Sequence, residues 1–423
     1  MELIVRQKYI DKIDQAFSLT PIAVLIGARQ VGKTSIMKTY AQRFAGEQLL
    51  LNGQDPEVAA LFGKLSDLET YVKAYLGDQM EGLLMIDEFQ FITNVSTMLK
   101  LLVDKYDKLH ILCTGSSSLD ILQQVEESMA GRVRLIEVFS LSFEEYLLFR
   151  APKLHQLHAS LKDNFSQQLI SPMQALYNDY LVYGGLPRVA LATDPANREA
   201  LLNDIYVTYL MNDVRHYVRG SDMVGFNRLL SLLATQIGDL ANVNELSRES
   251  GLSYRNCQEY LLLLQHMYII RLVKPYFTNK RKTISKMSKI YFCDLGLRNI
   301  IYRDFNDATK RADRGHLFEN EICLELLRTA GPADEIFFYR TTSGTEVDFV
   351  VSGTHGNTAV ECKFKHFDKP ASITALNTFG EQEGISRRFV ANANLDATTP
   401  CCRYIPGVMA NRILADAKLK GSD

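Results

Sequence analysis

Gly27-Ala28-Arg29-Gln30-Val31-Gly32-Lys33-Thr34 is the stretch that decides the fold of this chain. It satisfies G-x-x-x-x-G-K-[ST] at every position, and its surroundings supply the setting that the motif needs. Ile22 to Ile26 is an unbroken apolar run, the pattern of a strand buried on both faces. Ser35 to Phe44 reads as the helix that follows. In a strand, glycine loop and helix of this kind, backbone N–H groups wrap a β-phosphate at the helix N-terminus, where the helix dipole favours negative charge. Gly27 through Thr34, with Ser35 behind them, are therefore the candidate nucleotide-binding residues. Lys33 is expected to reach the β- and γ-phosphates, and the Thr34 hydroxyl to bind Mg²⁺.

Outward from this loop, 423 residues exceed one ordinary core, so two or three domains are expected. A hydrophobic content of 47% with 23% charged residues describes a globular, soluble chain. The net charge of -2 argues against uniform attraction to nucleic acid, so any such binding needs a local patch. No apolar run reaches the roughly 18 residues of a membrane span. The first residues, Met-Glu-Leu-Ile-Val-Arg-Gln-Lys, lack a signal-peptide core. Of seven cysteines only Cys401 and Cys402 are adjacent, and none forms C-x-x-C, so neither a disulfide framework nor a zinc site is suggested. Eight histidines are dispersed without metal-ligand spacing. A cytoplasmic location, with no membrane partner, is the expectation.

A P-loop hydrolase needs a second strand ending in carboxylates, and Leu83-Leu84-Met85-Ile86-Asp87-Glu88 supplies one. Asp87 would hold Mg²⁺ through water, and Glu88 would orient or deprotonate the attacking water. His110 to Ser118 again runs from apolar into small polar residues. A hydroxyl at that strand tip would sense the γ-phosphate or hold the water; Ser116 is the candidate, with a plain serine-rich turn as the alternative. Met129-Ala130-Gly131-Arg132-Val133-Arg134 follows. Arg132 would offset charge on a γ-phosphate of its own subunit or a neighbour's, or would simply be solvated along a strand.

These segments, with Leu141 to Tyr146 (Leu-Ser-Phe-Glu-Glu-Tyr) and Tyr183-Gly184-Gly185-Leu186-Pro187, resemble AAA-type ATPases of bacteria and archaea that carry a C-terminal domain of poorly defined function. The resemblance covers nearly the whole chain. It implies ATP as the nucleotide, Mg²⁺ as the metal, and a helical lid after residue 140. It also sets Arg188 where related ATPases have a lid residue near the nucleotide; the alternative is an arginine at a helix N-terminus.

Residues 141–240 read as helical. Asn244 to Ser253 then reads as helix, glycine turn, helix start, and Tyr254 to Ile270 as the second helix of a helix-turn-helix. From Arg271 to Lys289 there are seven basic residues and no acid. A hairpin wing carrying Lys280, Arg281 and Lys282, beside a recognition helix opened by Tyr254 and Arg255, is a candidate DNA contact. An oligomer interface or a solvated hairpin is the alternative.

The last third alternates helix and strand. Gly315 to Leu327 is a helix carrying Glu319 and Glu335 to Arg340 is a strand. In Glu346 to Val351, Glu346 and Asp348 share a face; in Thr358 to Phe364, Glu361 and Lys363 do. Helix with Glu, strand, hairpin with Asp and then Glu-x-Lys resembles the restriction-endonuclease-like nucleases, although Val347 stands where that family often has proline. The resemblance implies that Glu319, Asp348 and Glu361 ligate Mg²⁺ or Mn²⁺ and that Lys363 holds or deprotonates a water. A structural salt-bridge network is the alternative.

The expected architecture is thus α/β: a P-loop parallel-sheet ATPase core (1–140) with a helical lid (141–235), a winged helix (236–287), and a restriction-endonuclease-like α/β domain (288–423). The function that follows is Mg-dependent ATP hydrolysis associated with DNA, with nuclease activity if the C-terminal acids are competent. The alternative is a nucleotide-dependent switch or scaffold whose C-terminal domain binds a protein and cuts nothing. An arginine supplied in trans would make the protein a homo-oligomer.

Overall fold

The computed structural model describes residues 4–115, 131–163, 165–213, 217–277, 287–341, 344–354 and 356–419. The chain divides into two compact units, one of residues 1–140 with 266–268 and one of 141–265 with 269–423.

The first unit is built on a parallel sheet of β1 (Ile22–Ile26), β2 (Gln48–Asn52), β3 (Gly82–Asp87), β4 (Leu109–Gly115) and β5 (Val133–Glu137), in the order β2-β3-β4-β1-β5. Each neighbouring pair runs parallel. Every residue of β1 is buried, as its unbroken apolar run requires. Helices cover the sheet with apolar stripes. Gln7–Phe17 buries Tyr9, Ile10, Ile13 and Ala16, and Val95–Lys105 buries Val95, Leu99, Leu102 and Val103. The strand order sets the site. The loop after β1 and the acids at the end of β3 flank the tip of β4, where ligands bind in open parallel sheets.

The second unit begins with helices. Phe143–Arg150 opens on a capping box, with Glu145 N–H donating to Ser142 Oγ at 3.2 Å and Ser142 N–H donating to Glu145 Oε2 at 3.0 Å. That explains part of the Leu141–Tyr146 motif. Leu141 itself is held twice, by Gly185 O at 2.7 Å and by the Tyr180 hydroxyl at 2.8 Å. Gly185 N–H in turn donates to Asp294. The Tyr183–Pro187 motif therefore ties the first turns of this unit to its later half. Two further helices, Val243–Ser250 and Tyr254–His266, are separated by Gly251 at φ +77°, a left-handed helix stop that favours glycine.

The strands of this unit form one mixed sheet, in the order β12-β13-β11-β10-β9-β8-β6-β7. They are β6 (Ile270–Pro275), β7 (Lys289–Phe292), β8 (Glu335–Arg340), β9 (Glu346–Ser352), β10 (Thr358–Lys363), β11 (Arg387–Asn392), β12 (Ala397–Thr398) and β13 (Arg403–Pro406). β6 and β7 pair antiparallel, but β6 also pairs parallel with β8. The two strands that flank the expected wing thus belong to the end of the C-terminal sheet, while Lys280, Arg281 and Lys282 lie outside the described residues. The helix Arg314–Thr329 lies against β7 and β10 and buries Leu317, Phe318, Ile322 and Leu326.

Candidate functional site

The phosphate loop starts where β1 ends. Gly27 has φ +145°, and a Cβ there would lie 2.3 Å from Val138 O, so only glycine lets the loop pass this close to the chain leaving β5. Gln30 (φ 62°) and Gly32 (φ 96°) turn the backbone into the helix Lys33–Ala41. Buried Arg6 braces the loop from outside, donating to Val31 O at 2.8 Å and to Phe139 O at 3.1 Å. Sequence reading passed over Arg6, whose only signal was an arginine just ahead of an amphipathic helix.

Lys33 is buried, and its ammonium donates to Gly27 O at 2.9 Å and Ala28 O at 2.7 Å. Burial lowers its pKa to about 8, partly opposed by Glu88. The Thr34 hydroxyl donates to Asp87, at 2.9 and 3.1 Å to the two carboxylate oxygens. A hydroxyl and a carboxylate converging from the helix N-terminus and from β3 are a hard-oxygen donor set, the chemistry that suits Mg²⁺. Thr34 and Asp87 are the residues that could hold that ion.

Thr114 at the tip of β4 joins this set. Its hydroxyl donates to Asp87 Oδ1 and accepts the Glu88 N–H at 3.0 Å. Glu88 sits in the left-handed region at φ 53°, and its carboxylate accepts from Gln90 Nε2. The hydroxyl expected at this tip was Ser116, which lies outside the described residues; Thr114 is the hydroxyl next to the acids there. The clue was that β4 must stand between β1 and β3, which no local pattern reveals.

Arg132 lies elsewhere. Its carbonyl accepts from Ile22 N–H, at the start of β1, and its guanidinium pairs with Asp104. β5 runs parallel to β1, so Arg132, level with Pro21, stands about 16 Å down the strands from Ile26 and the loop after it. Of the alternatives open for Arg132, this position does not fit contact with its own chain's nucleotide. Arg188 is exposed in the first turn of helix Pro187–Leu191.

In the second unit, Tyr254 and Arg255 are exposed at the start of their helix, with Arg255 paired to Glu259 at 2.8 Å. The neighbouring Asn256 is engaged by Asp222 at 2.6 Å. Lys280, Arg281 and Lys282 lie outside the described residues. Lys289, the last of the seven basic residues, points into the unit and is buried.

Lys289 and Tyr291, two apart on β7, share a face and reach the helix carrying Glu319. Tyr291 donates to Glu319 Oε1 at 2.6 Å, and Lys289 Nζ donates to the same oxygen at 3.0 Å. The ammonium also lies 2.6 Å from Glu346 and 4.0 Å from Asp348. Burial by itself would lower the Lys289 pKa, but Glu319, Asp348 and Glu346 outweigh it and hold the lysine charged. Asp348 accepts from Cys362 N–H at 2.7 Å, and Glu361 pairs with Lys363 at 2.6 Å. Burial, reinforced by Glu319, pushes Asp348 up to about 7; burial, reinforced by Asp348, does the same to Glu361.

The four expected residues are thus on neighbouring elements, but not as a metal shell. Among the described residues no group of three or more His, Cys, Asp or Glu is placed to hold a metal ion. Glu319, expected as a ligand, is held by Lys289 and Tyr291, so the residues do not fit the three-carboxylate site. Lys363 is a charged ion-pair partner whose pKa Glu361 raises against burial, the wrong form to take a proton from water. Sequence reading missed Lys289 as a partner of the acids; the signal was a lysine opening the otherwise apolar strand Lys-Ile-Tyr-Phe.

Residues 19–147 match the family model described as an AAA domain. That match spans the phosphate loop and both β3 acids, and with their geometry it supports an AAA-type ATPase. Residues 174–308 and 314–400 match two models described as domains of unknown function (DUF8612 and DUF4143). An uncharacterized protein of Methanocaldococcus jannaschii is 27% identical over 361 residues, 84% of this chain and 77% of that protein. One of Haemophilus influenzae is 24% identical over 359 residues, 82% and 84% of the two chains. Among solved structures, a Walker-type ATPase of Pyrococcus abyssi superimposes with a TM-score of 0.46 at 14% identity, over 70% of this chain and 95% of that one. No helix among the described residues is long and apolar enough to cross a membrane.

Proposed function

We propose that this chain binds Mg²⁺ and ATP at residues 27–35 and hydrolyses the nucleotide. The convergence of Thr34, Asp87 and Thr114 beside Lys33 carries the reading. Lys33 binds the phosphates, and Mg²⁺, when bound between Thr34 and Asp87, offsets charge on them. Glu88, fixed through its N–H by Thr114, orients the attacking water and takes its proton. Arg132 acts on a neighbouring subunit's nucleotide, so an oligomer is part of the proposal.

Nucleotide turnover is proposed to govern a DNA-associated second unit, with Val243–Ser250 and Tyr254–His266 as the helices of a winged helix. Exposed Tyr254 and Arg255, and the basic sequence at 280–282, support it. DNA-stimulated ATP hydrolysis that falls with rising salt tests it. Charge reversal of Lys280, Arg281 and Lys282 to Glu should lower DNA affinity and flatten the salt dependence; unchanged binding would remove the DNA role.

One observation favours a second reading, in which the C-terminal strands bind a partner without cleaving nucleic acid. Lys289 stands among the acids expected to ligate metal. Incubation with linear, circular and branched DNA in Mg²⁺ or Mn²⁺, with and without ATP, separates the two. Cleavage lost in Lys363→Ala would restore the nuclease; ATPase stimulation without cleavage would support the non-cutting form.

A further inference from the structure

The acid cluster of the second unit is compensated from within, and Lys289 is the residue that does it. Its backbone is clamped from both sides. Across one edge of β7 it pairs with Val273 of β6, and across the other it bridges Leu240. Ala241 N–H donates to Ser288 O at 2.7 Å, Ile290 N–H to Asp239 O at 3.1 Å and Gly238 N–H to Ile290 O at 2.7 Å. This is a lysine fixed by ladders on both sides. Its ammonium contacts Glu319 and Glu346, faces Asp348, and lies 5.7 Å from the centre of the Phe338 ring. Lys363 occupies one oxygen of Glu361, and Arg340 lies 3.7 Å from Glu346. Four acids therefore face three basic side chains. A divalent ion entering beside Glu319 would have to expel a buried, doubly paired ammonium.

We propose that the Lys289 ammonium is a built-in counter-cation that takes the divalent-metal position beside Glu319 and excludes Mg²⁺ and Mn²⁺ from the cluster. An acceptor remains to mark what is left of the site: among the described residues, buried Glu361 Oε2 has no hydrogen-bond partner. Lys289 thus acts as a metal-specificity residue, and its loss should turn the cluster into a cation site.

The inference rests on the non-cutting reading of the second unit but fails separately from it, because its readout is metal binding and not cleavage. Mn²⁺ is titrated into full-length chain, without nucleotide, and free Mn²⁺ is followed by electron paramagnetic resonance. Asp87→Asn removes the ATPase metal site in every sample. With Lys289 present, no Mn²⁺ site tighter than about 1 mM is expected. In Lys289→Met one site should appear at least about tenfold tighter, because one positive charge has left a buried cluster of carboxylates, and adding Glu319→Gln should abolish it. Equal affinity with and without Lys289 overturns the proposal. Should Lys289→Met fail to fold without metal, Lys289→Gln and the Lys289-containing chain still decide. A sub-millimolar Mn²⁺ site in the latter that disappears in Asp348→Asn also overturns it; a Mn²⁺-dependent rise in the melting temperature of Lys289→Gln alone supports it.

Discussion

Replacing Thr114 by Val should slow ATP hydrolysis far more than it weakens ATP binding. The substitution keeps the shape of the side chain and deletes its hydroxyl, which donates to Asp87 and accepts the Glu88 N–H at 3.0 Å. A hydrogen bond to a charged group contributes about 1.5–3 kcal/mol, and a buried N–H left without a partner costs about 1–3 kcal/mol. Asp87 keeps the Thr34 hydroxyl at 2.9 Å, so the two losses overlap and a stability loss of about 2 kcal/mol is expected. Lys33 and the loop are untouched, which should leave the ATP dissociation constant within about threefold. Glu88, held in a left-handed conformation at φ 53°, loses its anchor. A displacement near 1 Å of a water-orienting carboxylate lowers kcat by about 10- to 100-fold. Thr114→Ser keeps the hydroxyl and should recover kcat to within about threefold of wild type. Single-turnover hydrolysis and fluorescent-nucleotide titration of the three proteins check this. A Val variant with wild-type kcat, or a Ser variant as slow as Val, refutes the role assigned to Thr114.

Other outcomes follow from the same contacts. Gly27→Ala drives a Cβ to within 2.3 Å of Val138 O at a φ of +145°; it should cost about 2–4 kcal/mol in urea unfolding and reduce nucleotide affinity. Arg328→Met strands Glu321 and Glu325, which accept from Arg328 Nη1 at 2.7 and 2.6 Å in a fully buried cluster, and should cost about 3–5 kcal/mol near pH 8. Burial already pushes Glu321 up to about 8. A carboxyl whose folded pKa stands above its unfolded value favours the folded state as it protonates, so the deficit of this variant should shrink as pH falls from 8 towards 6. Denaturation midpoints at both pH values check the sign, and a deficit that grows on acidification contradicts it.

The parts of this molecule legible in the sequence are those written in consecutive residues. Gly27–Thr34, the apolar run at 22–26 and the Asp87–Glu88 strand end each carry their own signal, because a buried parallel strand and its ligand-facing tip are local patterns. The helix with Glu319 and the strands with Asp348 and Glu361 were legible for the same reason. What was hidden depends on which strands become neighbours. Thr114 matters because β4 lies between β1 and β3, and Arg132 is displaced because β5 runs parallel beside β1. The basic stretch after Arg271 suggested a wing that contacts DNA; of its described parts, β6 pairs with β8 as well as with β7, and β7 turns Lys289 onto the acids. Charge counted along a sequence does not reveal which face of a strand carries it.

The central claim, that the loop and acids of the first unit hydrolyse ATP, is tested most directly by steady-state phosphate release from ATP with and without Mg²⁺. The wild type should turn over only with Mg²⁺. Lys33→Ala should lose both binding and turnover, and Glu88→Gln should bind ATP within about threefold of wild type while hydrolysing it about 100-fold more slowly or worse. Turnover that survives in Lys33→Ala and Glu88→Gln, or that does not need Mg²⁺, would contradict the account.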